Sequence, residues 1–191
     1  MPSIELIVGL GNPGPEYEPT RHNAGFWFVD RLAEHCRQTF RSESRFRSEV
    51  ARCRLDDSEC RLQKPQTFMN RSGQAVAALA RFFRIETPRI LVVHDELDLP
   101  PGTIRLKTGG GHGGHNGLRD LIAHLGRDFH RLRIGIGHPG HRDEVVDYVL
   151  HRPSRQDRSL IEASIEDALT VMPEVVAGHF ERAMNRLHVR K

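Results

Sequence analysis

The segment Ile4-Glu5-Leu6-Ile7-Val8-Gly9-Leu10-Gly11-Asn12-Pro13-Gly14 decides how this chain is read. A short apolar run ended by glycines is the pattern of a buried strand running into a tight turn. The glycines at 9, 11 and 14 satisfy GxGxxG, so a dinucleotide-binding fold must be weighed. That fold needs a helix opening inside the glycine turn, its N-terminus meeting the pyrophosphate. Here Pro15 and Pro19 intervene, the helical spacing begins only near Ala24, and Asp30 falls within that helix rather than ending a second strand. The dinucleotide reading is rejected. Backbone freedom explains the glycines but leaves Asn12 unexplained.

Outward from this strand, Phe26, Val29, Leu32, Ala33 and Cys36 recur at helical spacing. Strands over about Phe46–Arg54 and Cys60–Pro65 flank the polar turn Asp56-Asp57-Ser58 and form a hairpin. Ser72 is placed to cap a helix carrying Val76, Leu79, Ala80 and Phe83 on one face. Ile90–Val93 is a buried strand, Thr103–Lys107 a short one, and Leu132–Gly137 the last, with a helix through Leu118, Leu121, Ile122 and Leu125 between the latter two. Two helices, around Ser154–Met172 and Pro173–Leu187, finish the chain. Strands alternating with helices, plus one hairpin, predict an α/β single-domain three-layer sandwich over residues 1–191, with a central twisted mixed β-sheet flanked by helices.

The 191 residues suit one domain, and 38% hydrophobic with 28% charged residues is an ordinary globular balance. No apolar run is long enough to span a bilayer, and the N-terminus has no signal-peptide pattern. Cys36, Cys53 and Cys60 show no metal-type spacing, so three structural thiols in a reducing, cytoplasmic setting are expected. A net charge of +3 permits a nucleic-acid partner without identifying one.

In open α/β sheets ligands bind beyond the carboxyl ends of the strands. Asn12, Met69-Asn70 and Asp95 each follow a predicted strand end, so their loops should converge. His22, in Thr20-Arg21-His22-Asn23, is a candidate general base, although a histidine beside a helix start is more often a cap. A carboxylate from His94-Asp95-Glu96-Leu97-Asp98 could hold one ring nitrogen protonated and leave the other to take a proton from water. Asp95 is the candidate; spacing alone does not choose among the three carboxylates. Residues 109–117, GGGHGGHNG, hold six glycines in nine residues and lead directly into a helix, a backbone that lets a ligand approach closely. The stretch lacks the ending of a P-loop, and His112 and His115 have no third ligand at convincing spacing, so no metal is expected. Arg105 with Lys107, and Arg131 with Arg133, are pairs two apart on strands, each sharing a face, and would make a phosphate clamp. There is no GxSxG elbow, so attack by activated water is simpler than a covalent nucleophile.

Taken together, GLGNPG (9–14), TRHNAG (20–25), PQTFMNRSG (65–73), HDELDLPPG (94–102), GGGHGGHNGL (109–118) and RLRIGIGHPG (131–140) resemble the bacterial-type peptidyl-tRNA hydrolase family, in its order and across most of the chain. The resemblance implies a cytoplasmic monomer acting in translation and ribosome rescue. It would hydrolyse the ester joining a peptide to the 3′ end of tRNA, with no cofactor and no membrane partner. It casts His22 as the base and Asp95 as its partner. Asn12, Asn70 and Asn116 become the amides that hold the peptide and the reacting carbonyl, with Met69 and Tyr17 lining the site. His115 and its neighbouring glycines become a gate, and Lys107 and Arg133, supported by Arg105, the clamp on tRNA. Arg71 departs from the family pattern, where an apolar residue is expected. Two rivals from the residues alone are a non-catalytic RNA-binding module and a small-ester hydrolase with no RNA partner.

Overall fold

The computed structural model describes residues 2–188. Its centre is β1 (Leu6–Gly9), whose four residues are all buried and which pairs in parallel with β4 (Ser58–Pro65) on one side and β5 (Ile90–Glu96) on the other. Continuous apolar runs such as Leu6-Ile7-Val8 and Ile90-Leu91-Val92-Val93 belong in strands covered on both faces, and these are. The hairpin partner β3 (Ser48–Leu55) and the short edge strand β2 (Arg41–Glu43) extend the β4 side antiparallel. On the other side β7 (His130–Gly135) joins β5 in parallel, and β6 (Ile104–Thr108) closes the edge antiparallel to β7. The order is β2-β3-β4-β1-β5-β7-β6, a mixed sheet as expected.

Helices cover both faces. α1 (Ala24–His35) packs Phe28, Val29 and Leu32 on one side of the sheet with α5 (Arg155–Leu169), α6 (Met172–Val176) and α7 (Phe180–His188). α2 (Ser72–Phe82) and α3 (Asn116–Leu125) pack Val76, Leu79, Leu118 and Leu121 on the other. Phe28 and Leu32 are fully buried, each contributing about 1.5–3 kcal/mol of hydrophobic stabilisation.

Several boundaries differ from the expectation. Ser72 is the first residue of α2 rather than its cap, and its hydroxyl donates to the Met69 carbonyl at 2.7 Å. The last helical stretch is two helices, broken at Gly178, whose φ of 91° a helix cannot accommodate. A short helix α4 (Val145–Val149) and strand β2 had no predicted counterpart. The three cysteines are not three thiols: the end of α1 lies over β3, and Cys36 and Cys53 are joined with Cα atoms 5.5 Å apart. Cys60 is a buried free thiol, pushed up to about 12 by desolvation with help from Glu59.

Two close approaches set the site. A Cβ on Gly25 would stand 2.4 Å from the Val93 carbonyl and 2.6 Å from the Leu10 nitrogen. The first turn of α1 therefore sits directly on the ends of β1 and β5, bringing His22 to the C-terminal end of β5. Gly117 does the same for α3, where a Cβ would meet the Met69 sulfur at 2.6 Å.

Candidate active site

A cleft of about 460 Å³ opens at the carboxyl ends of β1, β4 and β5, lined by Asn12, His22, Met69, Asn70, Asp95 and Asn116 among others. The loops expected to converge do so.

At its floor, His22 Nδ1 lies 2.8 Å from Asp95 Oδ2, and both residues are buried. Asp95 is chosen over Glu96 and Asp98 by strand alternation: it turns toward the α1 side, while Glu96 turns to the opposite face and approaches Arg133 at 3.8 Å. The other oxygen of Asp95 is also occupied, with His115 Nε2 2.8 Å from Oδ1. Burial works against the Asp95 carboxylate, but the flanking His22 and His115 more than reverse it and hold the group well below the usual carboxylate range. An ionised carboxylate only accepts, so both facing ring nitrogens carry protons. For His115 a second observation agrees. Its Nδ1 accepts from the Gly117 and Leu118 backbone N–H groups at 3.1 and 3.3 Å, capping α3, so the proton belongs on Nε2. For His22, burial lowers the pKa, but the charge of Asp95 and its hydrogen bond outweigh that and leave it raised above 6.5.

His22, Asp95 and His115 place one potential ligand atom each within 4.8 Å of one another, which sequence spacing did not show. A metal there would displace both hydrogen bonds to Asp95.

The amides around this core are oriented. Asn12 Oδ1 accepts from the Met69 N–H at 2.7 Å, leaving its NH₂ group as the donor. Asn116 Oδ1 accepts from Arg119 at 3.1 Å, with the same consequence. Asn70 is exposed at the mouth. Asn23, which had no role in the sequence reading, brackets Asn12: its Oδ1 accepts from the Asn12 N–H at 2.8 Å, and its Nδ2 donates to the Asn12 carbonyl at 2.9 Å. Only its place beside His22 in Thr20-Arg21-His22-Asn23 hinted at this.

Tyr17 does not line the cleft; it meets Phe68 edge-on at 6.3 Å, and Phe68 does the lining. His115, expected in a gate, is instead fixed between Asp95 and α3, and the segment before it is the exposed part of the loop.

The cationic pairs fall as expected, with one correction. Arg105 pairs opposite Arg133, and Lys107 opposite Arg131, so all four share one sheet face with His94. Arg131, however, is buried and its guanidinium donates to the Gly110 and Gly111 carbonyls, tying down the start of the glycine loop. Lys107 and Arg133 remain for a ligand and line the cleft, whereas Arg105 lies outside it.

His94 carries no signal in the sequence, since a histidine inside an apolar strand reads as core. It is 1% exposed, its Nδ1 donating to the Asp95 carbonyl at 2.8 Å while Nε2 has no partner among the described residues. Burial, with a smaller push from His115, lowers it to about 3. Native His94 thus stays neutral while the unfolded chain protonates near 6.5. As pH falls between those values the unfolded state gains the proton and stability is lost, by at most about 1.4 kcal/mol per pH unit. Urea midpoints measured at successive pH values are expected to fall less steeply for His94→Gln than for the native chain. Equal slopes between the two pKa values would place the acid sensitivity elsewhere.

A histidine–carboxylate pair, amide donors and cations gathered in one cleft are the groups that hydrolysis of an acyl ester on an anionic substrate calls for. The family model described as peptidyl-tRNA hydrolase matches residues 6–191. The chain is 58% identical over 193 residues to the peptidyl-tRNA hydrolase of Pseudomonas entomophila, covering 100% of both. It is 56% identical over 187 residues to that of Neisseria meningitidis serogroup B, covering 97% of each. The crystal structure of peptidyl-tRNA hydrolase from Acinetobacter baumannii superposes with a TM-score of 0.96 at 50% identity, covering 98% of this chain and 96% of that one. The chain belongs to the peptidyl-tRNA hydrolase family. Its membership sets aside the non-catalytic and small-ester readings. Among the described residues, no helix is long and apolar enough to cross a membrane.

Proposed function

We propose that this chain hydrolyses the ester between a peptide and the 3′ end of tRNA with water activated by His22. The carrying observation is the buried 2.8 Å contact of His22 with Asp95 at the floor of the cleft. A water on the free Nε2 of His22 gives up its proton as its oxygen bonds to the acyl carbon. Asp95 keeps Nδ1 protonated and balances the imidazolium that forms. His115 donates a second hydrogen bond to the same carboxylate and fixes its plane. The NH₂ groups of Asn12 and Asn116 face the developing oxyanion and the peptide backbone, with Asn70 and Met69 farther out. When the tetrahedral intermediate collapses, the carbon–oxygen bond to the ribose breaks and the proton on His22 passes to the departing tRNA oxygen.

Lys107 and Arg133 hold the tRNA phosphates at the opposite end of the cleft, with Arg105 behind them. Glu96, 3.8 Å from Arg133, is the carboxylate a phosphate would displace. Lys107→Gln is expected to weaken tRNA binding and to lower by about one the slope of log affinity against log salt. Identical slopes for native and variant protein would remove Lys107 from the clamp.

Residues 1–191 serve as one domain, since both helical layers pack on a single sheet. All the proposed groups come from one chain, which suits a monomer. We place the enzyme in the cytoplasm, where its substrate is made; reducing conditions there would open the Cys36–Cys53 bond and leave two neighbouring thiols.

A further inference from the structure

The outer face of α2 leaves the cleft and carries a feature the hydrolysis does not use. From Arg71, just before α2, Gln74, Ala78 and Arg81 follow at spacings of three and four, and Phe82 stands four beyond Ala78, so these side chains share one stripe along the helix. All but Ala78 are exposed, Phe82 by 56%. The turn before β3 adds two cations along the same line. Arg47 reaches Gln74 at 3.4 Å, and the Arg45 guanidinium lies 4.3 Å from the Phe82 ring centroid and 4.7 Å from that of Phe46. Glu43 approaches Arg45 at 3.9 Å, while among the described residues no ion pair engages Arg47, Arg71 or Arg81. Unpaired arginines interleaved with an exposed aromatic ring, continuous with a cleft through Asn70 and the 58%-exposed Phe68, make a surface for an anionic, partly apolar chain.

Position selects the occupant. The tRNA-binding cations lie on the sheet face at one end of the cleft, and this stripe begins at the other, beyond Asn70. The reading of the cleft above puts the scissile carbon between them, and on that reading the peptide is what emerges here. We infer that α2 is a docking track for the peptide part of the substrate, and that it favours acidic residues upstream of the ester. From Arg71 to Phe82 the helix rises about 16 Å, the length of about five extended residues.

The test uses peptidyl-tRNAs that share one tRNA and one C-terminal residue but carry five upstream residues that are acidic, neutral or basic. N-acetyl-aminoacyl-tRNA, which has no upstream segment, is the reference. The native enzyme is expected to show the lowest KM for the acidic substrate, by up to about fivefold for each arginine engaged, with kcat unchanged. The double variant Arg47→Gln/Arg71→Gln should bring the acidic substrate to the neutral value and leave the reference untouched; both changes are on exposed side chains, and the fold should persist. Equal KM values for acidic and neutral peptides in the native enzyme would overturn the track. So would a variant that weakens every substrate alike, reference included, because the stripe would then be holding RNA. Failure of the native enzyme to cleave even the reference would strike instead at the hydrolase reading on which the track rests.

Discussion

His22→Ala is expected to lower kcat for peptidyl-tRNA by about 10²–10⁴-fold, the span a positioned general base supplies, with little change in tRNA affinity. The imidazole is the group in the cleft with one nitrogen committed to a carboxylate and the other free for water. The tRNA phosphates are expected on Lys107 and Arg133, so binding and turnover should separate. Single-turnover release of peptide, with tRNA affinity measured in parallel, checks this. Release near the native rate by a folded variant would end the general-base role. Folding deserves a separate check, because removing the ring leaves the buried Asp95 with one donor fewer, and an under-satisfied buried charge costs several kcal/mol.

Asp95→Asn should be nearly as damaging, for a different reason. The carboxylate accepts from two ring N–H groups at 2.8 Å each, one per oxygen. An amide has one acceptor oxygen, and its NH₂ would point at the other ring's N–H. His115 resists turning its tautomer because its Nδ1 must accept from the start of α3. The amide oxygen is therefore drawn to His115, and the NH₂ faces His22. His22 must then carry its proton on the nitrogen that should take one from water. The loss of rate should approach about 10⁴-fold, the scale seen when a carboxylate is removed from an analogous histidine pair. His115→Gln in the same background should recover part of it, since the constraint on the amide is gone. No recovery would show that His115 does not set the orientation.

Much of this was legible from residues. Apolar runs located β1 and β5, helical spacing located α1, α2 and α3, and the rule about strand ends placed Asn12, Asn70 and Asp95 at one rim. What escaped was structure with no local signal. Arg41–Glu43 has no apolar residue to mark a strand and is one only because β3 supplies partners. Val145–Val149 is too short for a period to show. Asn23 holds Asn12 across 11 residues, and Arg131 holds glycine carbonyls 20 and 21 residues away. Such contacts exist only after folding. The choice of Asp95 over Glu96 likewise needed the strand to run on to Glu96, which fixes the side each carboxylate faces. Position alone makes His22 a candidate base but more often a helix cap, and the resemblance is what singles it out.

The pH dependence of kcat/KM tests the central pair most directly. The base must be unprotonated, so activity is expected to rise with pH through the pKa of His22 in the free enzyme, at a midpoint above 6.5 because Asp95 more than offsets the effect of burial. With Asp95→Asn the residual activity should titrate at a lower midpoint, burial then acting alone. The same midpoint in both proteins, or no ionisation in the histidine range, would contradict a base held and tuned by that carboxylate.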